Sequence, residues 1–364
     1  MNGGQIQMKF LETRNGLIEQ INKIKMADFE ISEAKKIKND EFYTQLIDIE
    51  KEVLLYLQSD QNLFKDKIIL LPSDDPKFSN FVNFFKIYFE RLQLKKIIAT
   101  SYSAKGKGSL CVILGIDNIS YYDLSGNGDF RSEELSKLLN ECDMVITNPP
   151  FSLFREFIDW VVGSNKKFLL LGNLNAIAYK KIFNLIKENK LWLGQSISSG
   201  GREFEIPKDK IDMNKFNGSI RDGKFFQQII VRWFTNLDYK KRHIPLSLMT
   251  KDHIENSVLK RPFENYDDHN AIEISKTKNI PSDYDGVMGV PISFLDKYCF
   301  EQFDILECHE PCINIDLLKQ RSDFKEFKSR QIVYDGKLCQ KVYHRIFIRH
   351  KNLLALEGVN RSIP

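Results

Sequence analysis

Between about residue 42 and residue 245, short runs that are apolar throughout alternate with longer stretches whose apolar positions recur at helical spacing. The runs predict strands over 67–71, 96–100, 143–147, 167–171, 191–193 and 229–234, and the amphipathic stretches predict helices over 79–92, 132–139, 153–162 and 179–189. A strand that is apolar at every position has no solvent face. Such strands alternating with helices imply a parallel sheet covered on both sides. The expected fold is therefore a doubly wound α/β domain, which places its ligands at the carboxyl ends of the strands.

The flanks read differently. Residues 1–38 are rich in Lys, Glu and Ile, and the spacing of Ile18, Ile21, Ile24 and Met26 predicts a helical arm. Beyond 245 the alternation fades into a loop-rich stretch holding His253, Tyr266, Asp267, Asp268 and His269, followed by Gly286-Val287-Met288-Gly289-Val290-Pro291. This predicts a second, mixed α+β domain. The chain thus divides into an arm (1–38), an α/β domain (39–245) and a carboxyl-terminal region (246–364).

Composition narrows the function classes. With 42% hydrophobic and 28% charged residues, the chain has the material for a sizeable core and is not disordered throughout. Its 53 Lys+Arg against 49 Asp+Glu leave +4, so any site for a polyanion has to be local. No run approaches the ~18 apolar residues of a membrane span, and Met1-Asn2-Gly3-Gly4 opens no secretory signal, so a cytoplasmic protein is expected. Six scattered cysteines suit reduced thiols. Cys308-His309-Glu310-Pro311-Cys312 has no second ligand pair at zinc-finger spacing and reads as a loop, so no metal is expected. Lys105-Gly106-Lys107-Gly108-Ser109 lacks the spacing of a phosphate loop and reads as a flexible basic loop.

The chemistry concentrates where the third predicted strand runs straight into Asn148-Pro149-Pro150-Phe151. Two prolines fix φ and withhold two backbone donors, which on its own makes a rigid turn that stops a strand. The same stiffness leaves carbonyl acceptors uncontested beside the Asn148 side-chain carbonyl. An exocyclic amino group has two N–H donors. If the Asn148 amide oxygen and the Pro149 carbonyl each take one, the nitrogen is drawn toward a tetrahedral, nucleophilic geometry, while Phe151 offers a face on which a base can stack. No titratable base is required beforehand, and the proton can leave to solvent.

The tetrad resembles motif IV of the S-adenosylmethionine-dependent amino-methyltransferases. Further segments extend the match: Asp40 to Gln45, Ser73-Asp74-Asp75-Pro76, Gly128-Asp129-Phe130-Arg131, Asn184 to Lys190 with Trp192-Leu193-Gly194, and Gly286 to Phe294. In this order, from about Lys38 onward, the chain resembles the adenine-specific DNA methyltransferases of the EcoRI modification-methylase type. The resemblance implies a Rossmann-like methyltransferase sheet with a carboxyl-terminal target-recognition domain. It also implies S-adenosyl-L-methionine as cofactor, double-stranded DNA as partner, and a cognate restriction endonuclease as a genetic partner. Carried over by position, Phe42, Tyr43 and Thr44 match motif X, which helps enclose the methionine end of the cofactor. Asp74, Asp75 and Pro76 stand where a glycine-rich F-x-G-x-G is usual; a carboxylate there can hold an amino group, or it can make an Asx turn or helix cap. Ser101, followed by Tyr102, ends the second strand where an acidic residue commonly grips ribose. Asp129 sits where motif III reaches the cofactor's adenine, with Phe130 able to pack on that ring; a plain turn aspartate is the other reading.

A base inside a duplex cannot reach such acceptors, so it has to be flipped out while the backbone is held. Candidate phosphate contacts are Lys240-Lys241-Arg242-His243, Lys260-Arg261, and Lys325, Lys328, Arg330, Lys341, Arg345, Arg349 and Lys351, each of which also reads as an ordinary solvated face. Gly200-Gly201-Arg202 is a flexible segment that could border a base pocket. The expected function is methyl transfer, in line and without a metal, to N6 of a flipped adenine. Asn-Pro-Pro-aromatic also serves RNA and protein-glutamine amino-methyltransferases, and the missing glycine-rich loop leaves open a DNA-binding relative without catalysis.

Overall fold

The structure is a computed structural model. It describes residues 44–351 except 45, 199, 207–210, 212, 214, 215, 217, 322 and 323; the expected arm and the motif X residues Phe42 and Tyr43 lie outside the described residues. Two compact units emerge. One takes in the chain up to Ser152 with Arg202–Ile229, the other Leu153–Gly201 with the chain from Ile230 onward.

In the first unit, helix α1 (Leu46–Ser59) is followed by β1 (Ile68–Leu71), α2 (Asn80–Ile87), β2 (Lys96–Ser101), β3 (Ser109–Gly115), β4 (Asn118–Asp123), α3 (Glu133–Glu141) and β5 (Met144–Thr147). The strands stand in the order β4-β3-β2-β1-β5. β1 runs parallel to both neighbours, with Ile69 opposite Ile97 and Met144. Its residues Ile69, Leu70 and Leu71 are wholly buried, as an interior parallel strand requires. Helix α2 begins at Ser79, whose hydroxyl accepts from the Phe81 amide at 3.0 Å, an N-cap that satisfies one otherwise unpaired donor. It buries Phe81, Val82, Phe84 and Phe85 and packs on α1. Residues Arg202–Ile206, Ser219–Arg221 and Lys224–Ile229 form a small antiparallel sheet in the same unit.

Two features correct the expectation of a parallel sheet. The antiparallel hairpin β3–β4, with Ala99 opposite Cys111 and Cys111 opposite Tyr121, lies at one edge and was not anticipated. Tyr121 and Tyr122 face solvent there, so β4 has none of the continuous apolar character of an interior strand. The second departure is in the other unit, which holds α4 (Phe154–Gly163), β6 (Lys167–Asn173), α5 (Lys180–Lys187), β7 (Trp192–Leu193) and β8 (Val231–Thr235). β8 pairs antiparallel with both β6 and β7. The sheet is mixed.

Gly172 on β6 has a steric reason. A Cβ there would lie 2.4 Å from the Phe154 ring, so the glycine gives the first residue of α4 a seat against β6, where it also meets Phe234.

Toward the carboxyl end, β9 (Met288–Pro291), β10 (Phe303–His309), β11 (Cys312–Asn314), β12 (Lys337–Lys341) and β13 (Arg345–His350) make two further sheets. One has the order Ile272–Glu273, β9, β13, β10, the other β11, β12, Gln331–Tyr334. Strands dominate here, and the α-helices are short, Lys251–His253 and Ile315–Leu318. A buried charge pair sits inside. Arg345 grips Glu273 with two hydrogen bonds of 2.7 and 2.9 Å, and the Tyr266 hydroxyl donates to the same carboxylate. Burial, then the Glu273 charge, hold the Tyr266 phenol far above its ordinary range, so it stays a donor. Gly289 makes room for it, since a Cβ there would lie 2.3 Å from the Tyr266 hydroxyl.

Burial, ion pairs or hydrogen bonds occupy several of the cations proposed for phosphate. Arg345 is committed to Glu273, and Arg242 is buried with its guanidinium 3.7 Å from the centre of the Trp192 ring and 3.0 Å from Asp238. His243 lies between Asp238 and Glu301. Arg330 donates to the Lys341 and Val342 carbonyls, and Arg261 pairs with Glu264. Arg202 is bound to Asp48 at 3.0 Å. Lys241 and Arg349 remain exposed. Among the described residues no helix is long and apolar enough to cross a membrane.

Candidate active site

The loops that follow β1, β2 and β5 meet at the carboxyl edge of three adjacent parallel strands, the place where such sheets bind ligands. After β1 the chain runs through Pro72, Ser73 and the buried Asp74. The Asp74 amide donates to the Thr100 carbonyl at 3.0 Å, and the Thr100 hydroxyl donates back to the Pro72 carbonyl at 3.1 Å, stitching this loop to β2. The Asp74 carboxylate then takes two short hydrogen bonds of 2.5 Å, one from Ser79 at the start of α2 and one from Thr147 at the end of β5. A buried carboxylate is tolerated because such charge-assisted bonds replace its hydration. Asp74 therefore braces the loop, the helix and the residue immediately before Asn148.

Asp75 serves the turn itself. Its side chain accepts from the Lys77 amide at 2.9 Å and its carbonyl from the amides of Phe78 and Ser79, while Pro76 is buried beside it. Thr44, the one described residue of the motif X match, is tied to the same region. Its carbonyl accepts from the Asn80 side chain at 2.8 Å. The Thr44 hydroxyl is buried without a hydrogen-bond partner among the described residues.

At the end of β2, Ser101 is buried and shares a 2.5 Å hydrogen bond with Ser109. Two glycines crowd its carbonyl. A Cβ on Gly128, which has φ +81°, would lie 2.2 Å from that oxygen, and one on Gly108 would lie 2.5 Å away. Only glycine admits both the left-handed conformation and the approach. The basic loop before Ser109 is thereby held, with the Gly108 amide bonded to the Gly126 carbonyl and the Ser103 amide to the Asn127 carbonyl. The turn delivers Asp129 and Phe130 next to the end of β2. Asp129 is engaged by its neighbour: Arg131 binds both carboxylate oxygens, at 2.9 and 2.7 Å, and these bonds hold the carboxyl below its ordinary range. The Asp129 carbonyl accepts from Ser132, the N-cap of α3, so the turn and the helix form one piece. Phe130 is buried.

Asn148 and Pro149 are buried directly beyond β5, Pro150 and Phe151 are half-buried, and Phe151–Leu153 makes a single 3-10 turn. The structure brings together Thr44, Asp74, Ser101, Asp129, Phe130 and Asn148 on one edge of one unit. Sequence reading missed Ser79, Thr147, Ser109 and Arg131, which hold these residues in place. Ser79 and Arg131 had local signals, as a polar residue before an apolar run and as a cation two residues from a carboxylate; Thr147 and Ser109 had none.

A family model described as adenine-specific methyltransferase EcoRI matches residues 30–113 and 111–351. The chain belongs to this family of adenine-specific methyltransferases. It is 40% identical over 348 residues to the Type II methyltransferase M.EcoRI of Escherichia coli, covering 89% of this chain and 97% of that protein. It is 36% identical to the Type II methyltransferase M.MgeORF184P of Mycoplasma genitalium, covering 88% of this chain and 98% of that protein. The Type II methyltransferase M.MpnI of Mycoplasma pneumoniae is 39% identical, over 79% of this chain and 88% of its own length. No solved structure matches the chain. Membership of the EcoRI family and the mixed α/β fold agree with the site: a methyltransferase whose candidate chemistry lies at the carboxyl ends of β1, β2 and β5.

Proposed function

We propose that this chain is a site-specific DNA methyltransferase that moves a methyl group from S-adenosyl-L-methionine to the N6 amino group of an adenine flipped out of duplex DNA. The observation that carries this reading is the end of β5, where Asn148 and Pro149 are buried and Thr147 is tied to Asp74 at 2.5 Å. The cofactor, when bound, supplies an electrophilic methyl group. Asn148 and Pro149 offer two acceptors to the two amino hydrogens of the base, and Phe151 offers a stacking face. Binding the amino hydrogens this way favours the nucleophilic shape of the nitrogen, so no side chain has to remove a proton first. The proton passes to solvent afterwards.

The residues suit the cofactor. The Thr44 hydroxyl, buried and without a partner among the described residues, suits a polar ligand, and the glycines at 108 and 128 keep the rim at Ser101 free of side chains. Phe42, Tyr43 and Thr44 would enclose the methionine end, with Asp74, Asp75 and Pro76 shaping the floor. Ser101, Asp129 and Phe130 would meet the nucleoside end, with Arg131 fixing the Asp129 carboxylate. On this reading residues 39–245 form a doubly wound methyltransferase core and 246–364 recognise the target. A cognate restriction endonuclease would be the genetic partner.

Label from methyl-labelled S-adenosylmethionine is expected in duplex DNA when purified protein is offered DNA, RNA and a protein extract in parallel. Transfer only to RNA or to protein would overturn the assignment of the acceptor.

A further inference from the structure

We propose that His269, Glu307 and His309 form a binding site for one late first-row transition-metal ion of the zinc class. One donor atom from each of the three lies within 4.8 Å of the other two. The Nε2 of His309 and the Nδ1 of His269 are 3.2 Å apart. Two imidazole nitrogens on a tetrahedral zinc ion, each at ~2.0–2.1 Å from the metal, stand about 3.3 Å apart. The nitrogen spacing suits one shared ion, which the two rings, with centres 3.8 Å apart, would meet by tilting open toward it.

The two histidines come from segments forty positions apart, and packing brings them together. His309, the last residue of β10, stacks flat on Phe347, with ring centres 4.3 Å apart and planes 11° apart. His269 lies 5.1 Å from the same ring and 3.8 Å from the His309 ring. The loop that carries His269 is held against the start of β11, because the Cys312 amide donates to Asp268 at 3.0 Å and the Asn314 amide to Asp267 at 2.6 Å. Glu307 and His309 are two apart on one strand and so project from the same face, while Cys308 between them projects from the other.

Chemistry selects the ion. Two imidazoles and one carboxylate suit zinc, nickel or cobalt better than magnesium or calcium, which prefer oxygen ligands throughout. The Asp268 carboxylate lies 3.0 Å from the His269 Nδ1, a negative charge close to a bound cation. Three protein ligands leave a further position for water. The ion would clip the loop around His269 to β10. The window Cys308 to Cys312 reads as a loop with no second ligand pair because His269, the proposed partner of His309, lies forty positions away.

The test uses the full chain stripped of metal with a chelator. Calorimetric titration with zinc chloride is expected to give one site per chain, and cobalt in its place is expected to give the visible absorption of a low-symmetry site. His309→Phe keeps an aromatic ring on Phe347 and removes a ligand; Glu307→Gln changes an exposed position that the fold does not depend on. Each should weaken zinc binding at least about tenfold, since even partners one shell further out are worth that much. Cys308→Ser should bind as the parent does. Absence of zinc binding by the parent, equal binding by His309→Phe and Glu307→Gln, or loss only in Cys308→Ser would each overturn the site.

Discussion

Asn148→Ala is expected to lower the rate of methyl transfer by about 10²- to 10³-fold in kcat, the range for removing one preorganised polar group from a reacting centre. Affinity for S-adenosylmethionine should change little, because the amide is proposed to act on the amino group of the flipped base and not on the cofactor. The reason lies in how β5 ends. Ile146 and Thr147 are wholly buried, the Thr147 hydroxyl is fixed on Asp74, and two prolines then leave the backbone little freedom. The Asn148 side chain is thus delivered from a rigid strand end, and loss of its carbonyl leaves the Pro149 carbonyl as a single acceptor. Single-turnover transfer with saturating cofactor measures the effect. A variant as fast as the parent would remove Asn148 from the chemistry.

The largest expected effect on stability is at the other end of the chain. Arg345→Met should destabilise the fold by about 3–5 kcal/mol, the cost of leaving a buried ion without its partner. Glu273 is fully buried, and beyond Arg345 it has the Tyr266 hydroxyl, a neutral donor. The double variant Arg345→Met with Glu273→Met should recover a large part of the loss, because the desolvated charge goes with its partner. Urea unfolding followed by circular dichroism gives both values. A loss under about 1 kcal/mol for the single variant, typical of an exposed pair, would contradict the burial of this pair.

The parts of the fold that were legible in the sequence are those in which burial on both faces leaves an unbroken apolar run. β1, β2, β5 and β6 start or end within two residues of the expected positions for that reason. The same signature says nothing of direction, and so β8, buried at every position, was read as parallel although it runs antiparallel to β6 and β7. The hairpin β3–β4 escaped because an edge strand with exposed tyrosines lacks the signature altogether. At the site, Asn148 to Phe151 could be read because the chemistry resides in consecutive residues. The brace at Asp74 could not, since Thr147 is 73 positions away, and only folding reveals that a carboxylate in the loop after β1 holds the residue before Asn148. Charge in a sequence likewise carries no depth. Arg242 and Arg345 looked like candidates for phosphate and are interior residues paired with Asp238 and Glu273.

Digestion of the product identifies the atom that receives the methyl group. Duplex DNA incubated with the protein and labelled S-adenosylmethionine is reduced to nucleosides and separated. The label is expected to run wholly with N6-methyl-2′-deoxyadenosine and to appear about 10²- to 10³-fold more slowly with Asn148→Ala. Label in a cytosine nucleoside, or none with the parent protein, would contradict adenine N6 as the acceptor.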